Sequence, residues 1–176
     1  TTALFLDTAI LAPFEPPIGA RQRATFESSF FVWLSYHLVT RRPELMTRFM
    51  IDGVSRDLSR AQRQEEATWI TSHPERLRSM QEQFASIAPK KPRRHGWAND
   101  QVRERDLAPL PFANVAAPTL IAHGANDAIV PVEHAITAAE TIPGAERLFD
   151  EEGHHLLSLS RHYGPVARRQ LELTRG

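Results

Sequence analysis

An acid and a histidine each follow a short apolar segment in the second half of the chain. The run Ala117-Pro-Thr-Leu-Ile-Ala-His-Gly-Ala-Asn-Asp127 ends on a carboxylate, and Gly153-His154 lies 27 residues beyond it. A carboxylate that orients an imidazole base makes up two parts of a nucleophile–histidine–acid triad. Strands that end in glycine-containing turns bring both groups to the carboxyl edge of a parallel sheet, where they can meet. The spacing therefore predicts Asp127 and His154 as the acid and base of a catalytic site.

The identity of the histidine has one alternative. Gly153 is followed by His154 and His155, so a shift of one residue exchanges them, and we favour His154 because it directly follows the glycine. His123, in the turn before Asp127, is expected to be structural. Taken singly, an aspartate in such a turn commonly caps its own backbone and a loop histidine is commonly solvated. The pair in this order favours the catalytic interpretation.

Metal and cofactor chemistry find no support in the sequence. The chain has no cysteine, and no pair among its eight histidines has the H-E-x-x-H spacing of a zinc site. We therefore expect no metal and no cofactor.

Alternation of strands and helices surrounds these residues. Strands are predicted at Ala3–Asp7, Thr119–Ala122 and Arg147–Phe149, with helices near 132–141 and 163–174. From about Arg21 to Ala88 the pattern is helical throughout, and the basic run 89–95 reads as a solvated loop. The sequence thus predicts core segments at 1–12 and 113–176 around a helical insertion at 13–112. Such alternation is typical of a doubly wound parallel sheet.

Large apolar side chains in the helical segment, and one beside the acid, are candidates for a substrate pocket. Ordinary helix packing is the more common explanation of such stripes, and the sequence alone does not separate the two interpretations. The candidates are Phe30, Trp33, Phe49, Trp97 and Ile129.

Composition excludes some partners. The 21 basic and 21 acidic residues cancel, which gives no electrostatic reason to expect nucleic acid or an anionic membrane. No apolar run approaches the roughly 20 residues that a transmembrane helix needs. A cytoplasmic location is the default expectation, although Thr1 is not an initiator methionine and a targeting segment could lie upstream.

With these motifs the chain resembles the α/β-hydrolase family. The resemblance rests on Pro118-Thr-Leu-Ile-Ala-His-Gly-Ala-Asn-Asp-Ala-Ile-Val-Pro131, on Ile142-Pro-Gly-Ala145 and on Gly153-His154. It implies that residues 3–7 form strand six, that the helical insertion is the family's cap, and that Asp127 and His154 are its acid and histidine. The fold class implied is the C-terminal part of a doubly wound, mostly parallel hydrolase sheet with an inserted helical cap.

The family's serine elbow, Gly-x-Ser-x-Gly, is absent from these 176 residues. The resemblance therefore implies a hydrolase of ester, amide or thioester carbonyls whose nucleophile lies on a missing N-terminal portion or a separate chain. A small acyl or aryl compound is the expected substrate. An epoxide hydrolase or C–C hydrolase with different elbow chemistry, and a non-catalytic binding protein on the same scaffold, remain alternatives.

Overall fold

The computed structural model describes residues 3–15, 28–87 and 90–175. They form two compact units that interleave along the chain. The sheet unit comprises Thr1–Phe14, Val54–Leu58 and Leu107–Gly176, and the helical unit comprises Glu15–Gly53 and Ser59–Asp106. This division differs from the predicted one at residues 13–14, 54–58 and 107–112, which lie inside the predicted insertion but belong to the sheet unit.

Three parallel strands form the sheet in the order β1-β2-β3, with β1 at Leu4–Asp7, β2 at Thr119–Gly124 and β3 at Glu146–Asp150. In register, Asp7 lies beside Ala122, and Gly124 lies beside Asp150. All three strands therefore end at the same edge. β2 is buried along its whole length, as a central strand covered on both faces should be.

Alternate residues of β2 build a core on each face of the sheet. Leu120 and Ala122 pack on one side with Val166, which lies on the C-terminal helix α7 (Gly164–Arg175). On the other side, Ile121 packs against Ala135 and Ala138, which lie on helix α6 (Val132–Thr141). Both helices lie within two residues of their predicted bounds. The doubly wound α/β arrangement is thus confirmed.

The helical unit holds five helices, counted over its described residues. They are α1 (Ser29–Arg41), α2 (Pro43–Val54), α3 (Arg60–Ser72), α4 (Pro74–Ile87) and α5 (Lys90–Arg105). Ser59 starts α3 with a capping box, in which its hydroxyl accepts from the Gln62 N–H and the Gln62 side chain accepts from the Ser59 N–H. The predicted start of the helical block, near residue 21, lies outside the described residues. No helix in the described part of the chain is both long and apolar enough to cross a bilayer.

Two local predictions in this region are wrong. Residues 90–95 form the first turns of α5 and not a loop. Pro92 is tolerated there because the first N–H groups of a helix have no intrahelical acceptor, so a missing donor costs little. The helical pattern is also interrupted after Val54, where Ser55 pairs with Asp127 as an antiparallel bridge.

Candidate active site

Asp127 lies three residues beyond the end of β2, and backbone groups fix its carboxylate in place. Its Oδ1 accepts hydrogen bonds from the N–H groups of Ile129 at 2.7 Å and Val130 at 2.9 Å. The side chain is buried, with a residue exposure of 2%. Oδ1 thus caps the backbone of its own turn, which is the common role of a single aspartate at such a position. The second oxygen, Oδ2, is left to face other groups.

His155 is the histidine that meets this carboxylate. Its Nδ1 donates to Asp127 Oδ2 at 3.0 Å, and its side chain stays 29% exposed. A carboxylate can only accept, so the proton of this bond belongs to Nδ1. The favoured assignment of His154 as the partner of Asp127 is therefore not the arrangement in the structure, and the alternative, His155, takes that position.

His154 turns into the interior instead. Its side chain is fully buried, and its Nδ1 accepts the N–H of Leu156 at 3.1 Å. The sequence favours His154 because it directly follows Gly153, but this glycine has a different role in the structure. A Cβ on Gly153 would lie 2.8 Å from the Cα of Gly124. This glycine therefore allows two loops to approach each other: the one after β2 that carries Asp127, here called the acid loop, and the one after β3 that carries His155, here called the histidine loop. The residue after the glycine then packs inward, and the next one reaches the sheet edge.

His123 is buried and contacts the acid loop through its ring. Its fully buried Nε2 lies 3.1 Å from the carbonyl oxygen of Val130 and 3.6 Å from Asp127 Oδ2. Both neighbours are acceptors, so Nε2 carries the proton of the neutral ring. Burial lowers the pKa of His123, although the Val130 carbonyl and the Asp127 charge act in the opposite direction. The ring is therefore neutral at neutral pH and serves as a fixed hydrogen-bond donor, as the predicted structural role requires.

The environment of Asp127 favours its ionised form. Burial alone would raise its pKa, but the hydrogen bond and charge of His155, with the N–H groups of Val130 and Ile129, lower the pKa below the ordinary value of 3.8. Donors directed at a carboxylate stabilise its charge. At neutral pH this acid is a carboxylate, which is the state that orients an imidazole.

Asp7 is a second carboxyl group at this edge, and the motifs around Asp127 and His154 do not predict it. Asp7 ends β1, and burial raises its pKa against the opposing effects of the His155 charge and the Tyr163 hydroxyl. The sequence does contain a signal for Asp7: it ends a predicted parallel strand, and neighbouring parallel strands end at the same sheet edge. The edge thus carries two carboxyl groups with opposite pKa shifts, a pattern that also occurs in catalytic sites.

The candidate pocket residues are distributed over both units. In the helical unit, Phe30 and Trp33 stack at 6.1 Å between ring centroids and are 68% and 56% exposed. Phe49 is half exposed on α2. Trp97 lies on α5, with its side chain outside the described part. Ile129, in the sheet unit, contributes its N–H to Asp127. Their role in substrate binding stays a prediction.

No cluster of three or more His, Asp or Glu side chains able to hold a metal ion occurs within residues 3–15, 28–87 and 90–175.

Several solved structures resemble the chain in fold. The chain superposes on an alpha/beta hydrolase fold protein from Nakamurella multipartita with a TM-score of 0.88 and 26% identity, over 97% of this chain and 60% of that one. An esterase from Thermogutta terrifontis matches at a TM-score of 0.52 and 20% identity, over 98% and 55% of the two chains. The 2-hydroxy-6-oxo-6-phenylhexa-2,4-dienoate hydrolase of Rhodococcus sp. strain RHA1 matches at 0.52 and 16%, over 98% and 54%.

These likenesses place the chain in the α/β-hydrolase fold, and its elements are those of the C-terminal portion of that fold. The scaffold is therefore of the hydrolase type. The chain spans about three fifths of the length of the Nakamurella protein and slightly more than half of the other two. No protein-family model matches it, and no curated protein matches it in sequence.

Proposed function

We propose that this chain supplies the acid and the histidine of a serine-hydrolase-type enzyme, with Asp127 as the acid and His155 as the base. The observation that carries the proposal is the 3.0 Å hydrogen bond from His155 Nδ1 to Asp127 Oδ2. With the proton on Nδ1, the neutral ring presents an unprotonated Nε2. This is the nitrogen that must take a proton from a nucleophile.

The reaction begins with attack on an ester, amide or thioester carbonyl. A serine hydroxyl bonds to the carbonyl carbon while its proton passes to Nε2 of His155. The tetrahedral intermediate collapses, the bond to the leaving group breaks, and that group takes the proton from Nε2. Water, deprotonated by the same nitrogen, then releases the acid and restores the serine. Throughout, Asp127 holds the ring and stabilises the imidazolium.

In this proposal the nucleophile and the oxyanion donors belong to polypeptide outside these 176 residues, either an N-terminal portion or a separate chain. Each oxyanion donor contributes about 3–4 kcal/mol to transition-state stabilisation in enzymes where it has been removed. The substrate is a small acyl or aryl compound, covered by the helical unit as a cap.

Labelling with a fluorophosphonate probe tests the proposal in the protein that carries this chain together with its nucleophile. The wild type should label and hydrolyse p-nitrophenyl esters. His155→Ala should abolish both, and Asp127→Asn should lower kcat about 10⁴-fold because the amide favours the wrong tautomer of the ring.

His154→Asn is the matched control, because its amide oxygen can accept the Leu156 N–H in place of the ring nitrogen. Its activity per folded molecule should fall less than about tenfold, because the substitution keeps an acceptor for the Leu156 N–H and leaves the Asp127–His155 bond in place. A dead His154→Asn beside an active His155→Ala would contradict the assignment. A folded wild type that neither labels nor turns over would indicate a binding protein, and turnover without labelling would indicate a different nucleophile.

A further inference from the structure

A short segment between helices α2 and α3 lies along the acid loop. We call it the strap, Val54–Leu58, and it belongs to the sheet unit although the residues before and after it belong to the helical unit. Ser55 forms the antiparallel bridge with Asp127, and the Arg56 N–H donates to the carbonyl of Asn126 at 2.8 Å. The strap is thus joined by its backbone to the loop that carries the acid.

One atom of the strap also joins the histidine loop. The carbonyl oxygen of Val54 accepts the N–H of Ala128 at 3.2 Å and the N–H of His155 at 3.3 Å. Val54 is the last residue of α2, where a carbonyl has no intrahelical donor and is free to bond elsewhere. A single oxygen therefore bridges the acid loop and the histidine loop, and does so at the backbone of His155 itself.

Buried side chains hold the strap in place. Ser55 and Leu58 are 5% and 4% exposed, whereas Arg56 and Asp57 between them are exposed. A segment anchored at both ends and bonded in its middle has few ways to shift. Burial and backbone bonds together thus fix the strap against the two loops.

From these contacts we propose that the strap is a positioning element for the Asp127–His155 pair, and that it holds His155 Nδ1 at bonding distance from Oδ2. The inference rests on the proposed function, since a positioned pair has a use only in catalysis. The strap acts through the backbone, so the identity of its exposed side chains should not matter. Removal of its hydrogen bonds should loosen the histidine loop selectively.

Amide hydrogen exchange tests this in the whole protein without reference to turnover. Arg56→Pro removes the N–H that bonds Asn126, and Leu58→Ala removes a buried anchor. In both variants, exchange at the Ala128 and His155 amides should speed up at least tenfold. The Ala125 amide, which bonds the carbonyl of Asp150 and not the strap, should be unchanged.

The controls separate the strap from general loss of stability. Arg56→Ala keeps the N–H and should behave as wild type, and Ile70→Ala opens a cavity at a fully buried residue of the helical unit. The Nδ1 proton of His155, followed by ¹H NMR, should exchange faster in Arg56→Pro and Leu58→Ala than in Ile70→Ala. If esters are turned over, kcat should fall about tenfold in the two strap variants with little change in KM.

Unchanged protection of Ala128 and His155 in both strap variants would overturn the inference, as would equal acceleration at Ala125. If the wild type is catalytically inactive, the proposed function fails. The exchange rates of the Ala128 and His155 amides still show in that case whether the strap stabilises the two loops.

Discussion

Gly124 and Gly153 lie against each other at the carboxyl edge of the sheet. A Cβ built on Gly124 would lie 2.7 Å from the backbone nitrogen of His154, and one built on Gly153 would lie 2.8 Å from the Cα of Gly124. Real side chains do not approach backbone so closely, so neither position accepts even a methyl group without movement. The absence of a side chain at both positions is what allows the acid loop and the histidine loop to lie so close together.

Gly153→Ala should therefore both destabilise the protein and disturb the Asp127–His155 pair. Overpacking of a filled site costs about 1–3 kcal/mol, and here the atoms that must yield are backbone and the Cβ of Asp150. Chemical denaturation measures the first effect, and the Nδ1 proton signal of His155 reports the second.

Gly96→Ala is the matched control for that substitution. Gly96 lies inside α5, and a Cβ there meets nothing within 4 Å. Alanine in an exposed helical position should raise the free energy of unfolding by about 0.5–1 kcal/mol. A stable Gly153→Ala variant with an unaltered His155 signal would refute the role assigned to the glycine contact.

The lowered pKa of Asp127 predicts how the stability of the protein depends on pH. A group whose pKa is lower in the folded state stabilises the fold above its unfolded pKa, near 3.8, and loses that contribution as the pH falls through the folded value. Wild type should thus exceed Asp127→Asn in Tm at pH 6, and the difference should shrink steadily below about pH 4. A Tm difference that is constant from pH 6 to pH 2.5 would show that the charge of Asp127 is not stabilised by its neighbours.

For Asp7 we expect stability to depend on pH in the opposite direction. Burial raises its pKa, so the protonated form suits the folded state and stability is lost as the pH rises through the folded pKa. Asp7→Asn keeps the shape and an acceptor oxygen but carries no charge. Its Tm should exceed that of wild type at pH 7, and the gain should vanish below the unfolded value of about 3.8. A variant less stable than wild type at pH 7 would contradict this account.

The sequence predicted the elements whose signal is local. β2 and β3 were expected within two residues of their ends, because apolar runs bounded by proline and glycine leave few alternatives. Asp127 was expected at the edge on the same grounds. These predictions needed only the period of the pattern and the rule that parallel strands end together.

What failed depended on contacts between distant segments. Whether His154 or His155 faces the acid is decided by how Gly153 packs on Gly124, 29 positions earlier, and no pattern around Gly153 encodes that. The sequence predicts helix through the strap because residues 54–58 include neither glycine nor proline, whereas its pairing with residue 127 is a tertiary contact. The run 89–95 is predicted as a loop because the tolerance of Pro92 in a first helical turn depends on where the helix starts, which the sequence does not show.

The chain passes between its two units four times, at 14/15, 53/54, 58/59 and 106/107. An exchange of the helical insertion between relatives in a single piece would also replace residues 54–58, so the carbonyl oxygen that joins the two loops would come from the donor's segment. A graft that preserves them must be made in two parts, 15–53 and 59–106, with five residues of the host kept between. Variation of the helical unit is thereby limited by five residues whose backbone bonds the loops that carry Asp127 and His155.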